Sequence, residues 1–406
     1  MGTQRSIETR PPLEGYDVIV VGAGVYGLTI AERAANVLGR TVCVLEQRQH
    51  IGGNCYSEYD SESGIEFHKY GSHLFHTSNE QVWEYLNQFT AFTNYRHRVL
   101  TVHKGQVYSM PINLGTICAF FGQYFTPDEA RALIHQQAAS TSFSAPTNLE
   151  EKAISLIGRP LYDAFIKGYT KKQWQTDPRE LPADIITRLP VRFNFEPYYF
   201  SDPHEGLPVD GYTTMLEKMA ASPLIDVWLG TDFRDVRQQV SPHQLVVYSG
   251  AIDRYFDCRL GELGWRTLDF EKEVVGVDDY QGASVVNYAD EEVPYTRIHE
   301  FKHLHSEREC RKGKTVIFRE FSRSASREDQ PYYPMNTPRD KQLLAAYSEL
   351  AGHEENVIFG GRLGNYQYLD MDRAVACALQ AFQEQVVPFF GARLLPFSRR
   401  LMAKAT

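Results

Sequence analysis

The glycines of Gly22-Ala-Gly24-Val-Tyr-Gly27 and the carboxylate of Glu46, 19 residues beyond the last of them, point most directly to chemistry. In this pattern Gly22 permits a tight turn and Gly24 lets a pyrophosphate approach the backbone. Gly27 lets a helix pack close to its strand, and an acid at the Glu46 position meets ribose hydroxyls. Gly52-Gly53-Asn54 comes shortly after the acid and brings a second stretch of backbone to the same ligand. Gly71-Ser-His73 sets an imidazole beside a glycine, a combination that can lie against a planar ring. Near the other end, Gly360-Gly-Arg362 leads through Leu369-Asp370-Met371 into a helix, and a helix start after a Gly-rich strand end is an anion site. No Ser–His–Asp, Cys–His or paired-carboxylate motif suggests a side-chain nucleophile. His68, His73 and His76 lack accompanying carboxylates, so no metal is expected.

The elements that must hold these residues can be read in order. Asp17–Val21 is a short, mostly β-branched run of the kind buried on both faces of a parallel sheet. Leu28–Leu38 has helical spacing, and Thr41–Leu45 is a second strand that ends in Glu46. Asn79 caps a short amphipathic helix over 79–89. Alternation over 95–112 around Lys104-Gly105 reads as a hairpin. Residues 113–175 read as helical, with a cap at Thr126-Pro127, a start at Asn148 and a break at Gly158-Arg-Pro160. Leu181-Pro182 and Leu189-Pro190 bound a loop that carries Arg188. Val191 to Phe200 looks strand-like. The region 245–325 alternates repeatedly, beginning with Leu245–Tyr248, and is expected to form an antiparallel sheet of roughly five or six strands. Val357–Phe359 is a last buried strand, followed by a helix from Asp372 to about Phe389.

The fold class expected is therefore α/β: a discontinuous Rossmann-like dinucleotide-binding domain (FAD-binding under the resemblance given below), an inserted helical bundle and an antiparallel β-sheet domain. The boundaries are 15–90, 205–240 and 352–392 for the first, and 113–190 for the helical part with a mobile loop 181–190. The sheet domain takes 91–112, 191–204 and 241–351. A chain of 406 residues is long enough for such a division. A net charge of −9 argues against nucleic acid as partner. Six scattered cysteines without a CxxC look like reduced thiols. No stretch reaches the ~18 apolar residues of a membrane span, and residues 1–14 lack a signal-peptide core. A cytoplasmic protein is the expectation.

The Gly-Gly pair after the ribose acid resembles the fingerprint of the flavoprotein group that includes the amine oxidases, which moves the expected dinucleotide from NAD to FAD. FHKYGSHLFHT, KGYTKKQW, RLPVRF, PYTRIHEFKH, PYYP and GRLGNYQYLDMD, in this order, resemble the bacterial type of the UDP-galactopyranose mutase family. The resemblance covers about residues 15–390. It implies an isomerase that interconverts UDP-galactopyranose and UDP-galactofuranose for cell-surface glycans. N5 of reduced FAD would attack the anomeric carbon, with no net redox. It implies a homodimer and an external reductant such as NAD(P)H. An FAD-dependent oxidoreductase of the amine-oxidase type is the alternative.

The site residues expected under this resemblance fall into three groups. Gly22, Gly24, Val25, Gly27, Glu46 and Gln47 hold the cofactor from one side. Gly53, Asn54, His73, Arg362, Leu369, Asp370 and Met371 hold it from the other, the helix start favouring reduced flavin. Arg188 and Arg297 neutralise the two phosphates of the substrate, for which the planar guanidinium fork is suited. Tyr199, Tyr333 and Tyr368 add hydroxyl donors. Phe165 and Trp174 sit beside the uridine and the substrate, with Tyr169 and Thr170 in the same patch. Asn94 and Asn287 make polar contacts. Arg188, Arg297 and His73 form the catalytic set.

Overall fold

A computed structural model describes residues 11–139, 145–186 and 191–391. Its first layer is a five-stranded parallel sheet, in the order Val357–Phe359, Leu245–Tyr248, Val18–Val21, Val42–Leu45 and Ile225–Trp228. The inner strands are buried along their whole length. Val18, Val20, Val42 and Val44 face a core shared with the helices Val25–Leu38 and Met371–Ala381. Ile19, Val21, Cys43 and Leu45 face a second core that holds Trp228 and Tyr347. Continuous apolar runs, rather than alternating ones, result from this two-sided burial.

Leu245–Tyr248 corrects the expectation that it opens the antiparallel sheet. It pairs in parallel with Val18–Val21, so its strand belongs to the nucleotide-binding layer. The helix Pro338–Ala351 likewise packs on that layer, through Tyr347 and Leu343. The limits 241–351 of the expected sheet domain therefore do not hold at either end.

The second sheet has seven strands, in the order Tyr333–Pro334, Trp265–Val275, Thr315–Ser324, Arg297–Glu300, Val285–Tyr288, Val99–His103 and Gln106–Met110. Its pairs are antiparallel except Val285–Tyr288 with Val99–His103, which run parallel. Lys104 and Gly105, both with positive φ, make the expected hairpin turn. Residues 191–200, expected as a strand, are irregular apart from a single bridge between Arg98 and Tyr198. Arg192 donates to the carbonyls of Tyr198 and Tyr199, so a side chain occupies acceptors a ladder would use.

The helical part comprises Leu114–Phe121, Pro127–Ala139, Leu149–Leu161 and Lys167–Trp174, joined around its own core. Gly158 (φ 74°) breaks the third helix where Gly-Arg-Pro predicted. Of the loop 181–190, Ala183–Ile186 is a short 3₁₀ turn. Arg188 and the rest of residues 187–190 lie outside the described residues. No helix among the described residues is long and apolar enough to cross a membrane.

Candidate functional site

The three layers meet around one cavity of about 690 Å³. Its first wall is the turn after Val18–Val21. Gly22, Gly24 and Val25 line it, while Gly27 lies behind, where a Cβ would overlap the Gly22 carbonyl. A Cβ at Gly24 would meet no protein atom within 4 Å and would project into open space. Glu46 accepts from the backbone N–H of Ala23 and of Arg48, both at 2.9 Å. Burial raises its pKa against those bonds. Gln47, Gly53 and Asn54 complete this end. Arg48 lies 4.3 Å over the Tyr70 ring and donates to Asn54 and Gln330. Its second terminal nitrogen, Nη1, is buried without a partner.

The opposite wall is built by the strand Val357–Phe359 and the glycine-rich segment that continues from it. Arg362 donates to the carbonyls of Pro331 and Tyr332, and no ion pair is found for it among the described residues. Burial lowers its pKa. Leu369, Asp370 and Met371 line the cavity at the start of the helix Met371–Ala381, whose cap residue Asp370 makes no side-chain cap bond. The open space at Gly24, the orphaned Arg48 nitrogen, the Arg362 cation and a helix start together fit a dinucleotide with an anionic centre.

Imidazoles cover the floor. His73 Nδ1 lies 2.8 Å from the Gly71 carbonyl, and its backbone N–H donates to His68 Nδ1 at 3.0 Å. Burial lowers His73 to about 4 and His97 to about 3, so both are neutral near pH 7. His299 is also held down by burial.

The third wall comes from the second sheet and the helical part. Arg297 extends from its strand toward Tyr169, to whose hydroxyl it donates, and lies 3.2 Å from Glu320 on the adjacent strand. Burial opposes the Glu320 charge, but Arg297 and His299 outweigh it and bring the carboxyl to about 2. Tyr333 and Tyr368 stack at 6.0 Å, with Tyr199 beside the cavity. Asn287 lines the cavity with its Oδ1 buried and unpartnered. Tyr169, Thr170 and Trp174 line the same end. Phe165 also borders it but is 3% exposed, wedged against Tyr108 and Phe120 at 5.0 and 5.4 Å. Its larger part is in the core of the helical unit.

The structure thus gathers every expected site residue around one cavity with three exceptions. Gly27 acts from behind the wall. Asn94 is exposed and does not line the cavity; His97, three residues on, does. The Thr93 N–H donates to the Leu207 carbonyl and anchors the chain there, which leaves Asn94 outside. Arg188 lies outside the described residues. Sequence reasoning missed Arg48, His97, Ser72, His299 and Glu320, all of which line the cavity. It also found no Ser–His–acid motif, whereas Ser72, His299 and Glu320 come together in one hydrogen-bonded row. Only strand register brings them within reach, since His299 and Glu320 sit on neighbouring antiparallel strands.

A family model for UDP-galactopyranose mutase matches residues 164–368, and one for an NAD(P)-binding Rossmann-like domain matches residues 20–89. A probable UDP-galactopyranose mutase of Klebsiella pneumoniae is 45% identical over 368 residues, which span 91% of this chain and 94% of that protein. A dTDP-fucopyranose mutase of Escherichia coli is 42% identical over 370 residues, 90% of this chain and 97% of that protein. A crystal structure of reduced UDP-galactopyranose mutase superposes with a TM-score of 0.70 at 14% identity, covering 91% and 95% of the two chains. At that identity the likeness concerns the fold alone.

Proposed function

The chain belongs to the UDP-galactopyranose mutase family, and on that premise we propose that it is a flavin-dependent isomerase interconverting UDP-galactopyranose and UDP-galactofuranose. The observation that carries the reading is the single cavity, which runs from the Gly22–Glu46 cradle to the Arg297 and tyrosine wall. An oxidoreductase of the amine-oxidase type has no need of that second wall.

FAD is the cofactor in this reading. When bound and reduced, it would supply a nucleophilic nitrogen for the anomeric carbon. The chain's own residues do the rest. Gly22, Gly24 and Gly53 admit the cofactor pyrophosphate to the backbone, and Glu46 takes ribose hydroxyls. Arg362 and the helix start at Met371 hold negative charge on the ring system. His73, neutral and held through Nδ1 on the Gly71 carbonyl, would lie against the ring.

On the substrate side, Arg297 binds the pyrophosphate and stabilises it as a leaving group, with Tyr199, Tyr333 and Tyr368 as hydroxyl donors. Arg188 is the second arginine of this set. Trp174 offers a flat face to the uracil, and Asn287 supplies the acceptor left unpartnered in the wall. The protein works in the cytoplasm as a homodimer, kept active by an external reductant such as NAD(P)H.

The test is direct. Dithionite-reduced protein is given UDP-galactofuranose under nitrogen, and the nucleotides are separated by chromatography. UDP-galactopyranose is expected as the main product; recovery of unchanged substrate overturns the reading.

A further inference from the structure

Ser72 Oγ lies 2.8 Å from His299 Nδ1, and His299 Nε2 lies 3.0 Å from Glu320 Oε2. The other oxygen of Glu320 accepts from Thr296 Oγ1 at 3.0 Å and faces Arg297 Nε at 3.2 Å. Glu320 is therefore held as a carboxylate. A carboxylate only accepts, so His299 must place its proton on Nε2. Burial keeps the imidazole neutral, which leaves Nδ1 as a bare lone pair. The Ser72 hydroxyl donates its one hydrogen to that lone pair. What remains of Ser72 toward the cavity, which it lines, is oxygen lone pairs alone.

A serine hydroxyl ordinarily turns to suit its ligand, as donor or acceptor. Here the row behind it removes that choice. Phosphate and carbonyl oxygens meet repulsion at such a group, and only a donor is welcome. Among the donors of a nucleotide-hexose, the position of Ser72 selects the sugar. It precedes His73, at the cofactor end, in the chain and is joined through His299 and Glu320 to Arg297, at the pyrophosphate end. The uracil end, at Trp174, belongs to the helical unit.

We propose that Ser72 reads the hexose: its Oγ accepts a hydrogen bond from one sugar hydroxyl, and His299 with Glu320 fixes it in that role. This rests on the reading of the cavity as a nucleotide-hexose site. Ser72 is then a specificity-determining residue, and His299 acts through it as a positioning residue. Replacing the matching hydroxyl by hydrogen leaves a buried acceptor unpaired, and such a site discriminates against the deoxy analogue.

The experiment is a binding series on the flavin-loaded protein by isothermal titration. The ligands are UDP, UDP-galactopyranose and its 2-, 3-, 4- and 6-deoxy analogues; the proteins are wild type, Ser72→Ala, Ser72→Thr and His299→Gln. In wild type, one deoxy analogue should bind about tenfold more weakly than the parent. Ser72→Ala should bind the parent that weakly and show no further loss with that analogue. Ser72→Thr should restore discrimination, and His299→Gln, which lacks the Nδ1 acceptor, should reduce it with Ser72 still present. UDP alone should bind wild type, Ser72→Ala and Ser72→Thr alike.

The proposal is overturned if every deoxy penalty is the same in wild type and Ser72→Ala, or if Ser72→Ala weakens UDP by the same factor as UDP-galactopyranose. Should Ser72→Ala fail to fold, wild type and His299→Gln decide by the same comparison. Failure of wild type to bind UDP and UDP-galactopyranose would instead overturn the reading beneath.

Discussion

Arg297 is not a free cation waiting in solvent. Its guanidinium faces Glu320, whose side chain is only 4% exposed, and donates to Tyr169. Removing it leaves a buried carboxylate uncompensated, which typically costs about 3 kcal/mol or more. Arg297→Ala should therefore lower both thermal stability and turnover, the latter by about 100-fold if a charge-assisted bond to the leaving group is lost. Adding Glu320→Gln to Arg297→Ala should recover most of the melting temperature and none of the turnover. Thermal unfolding and steady-state kinetics on the three variants check this; recovery of activity in the double variant would remove Arg297 from the leaving-group role. Arg297 itself was legible in the sequence, through the motif around it. Glu320, 23 positions later, was not, because only the register that sets Arg297 opposite Glu320 joins them. The same holds for Ser72 and His299, 227 positions apart. Asn94 failed for a local reason: periodicity does not say on which side of a turn an exposed polar residue falls.

The turn Gly22–Gly27 shows how differently its glycines act. Gly24 has an ordinary backbone conformation (φ −78°) and empty space where a Cβ would go. Gly27 is pressed against the Gly22 carbonyl and Val20. Gly24→Ala should fold with an apoprotein melting temperature near that of wild type but retain little flavin. Gly27→Ala should instead lower the apoprotein melting temperature, by the several degrees that a ~1–3 kcal/mol overpacking strain implies. Flavin absorbance per protein and calorimetry on apoprotein separate the two effects, and equal melting temperatures would contradict the assignment. This element was legible because strand, turn, helix and acid share one short stretch. Leu245–Tyr248 was not. Four apolar residues between turns fit a buried parallel strand as well as an alternating antiparallel one, and the partner that decides, Val18–Val21, is more than two hundred positions away. Residues 191–200 misled because aromatic content favours strands, whereas Arg192 takes the carbonyls a ladder needs.

At the scale of the whole molecule, the parallel sheet, the second sheet and the helical part share apolar cores along their seams, and all three border the cavity. The parallel sheet presents its glycine turn, the second sheet its Arg297 strand, and the helical part its Lys167–Trp174 helix. Much of each layer was readable from its own periodicity, Leu245–Tyr248 and residues 191–200 excepted. Their common focus was readable only through the resemblance, since no local pattern states which faces meet. In the proposed function this focus binds a nucleotide sugar against a reduced flavin that is not consumed. The most direct measurement counts product per flavin while following flavin absorbance, with reduced and oxidised protein in parallel under nitrogen. Many equivalents of UDP-galactopyranose are expected from UDP-galactofuranose with the flavin still reduced, and essentially none from oxidised protein. Product that stops at one equivalent as the flavin oxidises, or equal rates from both forms, would contradict it.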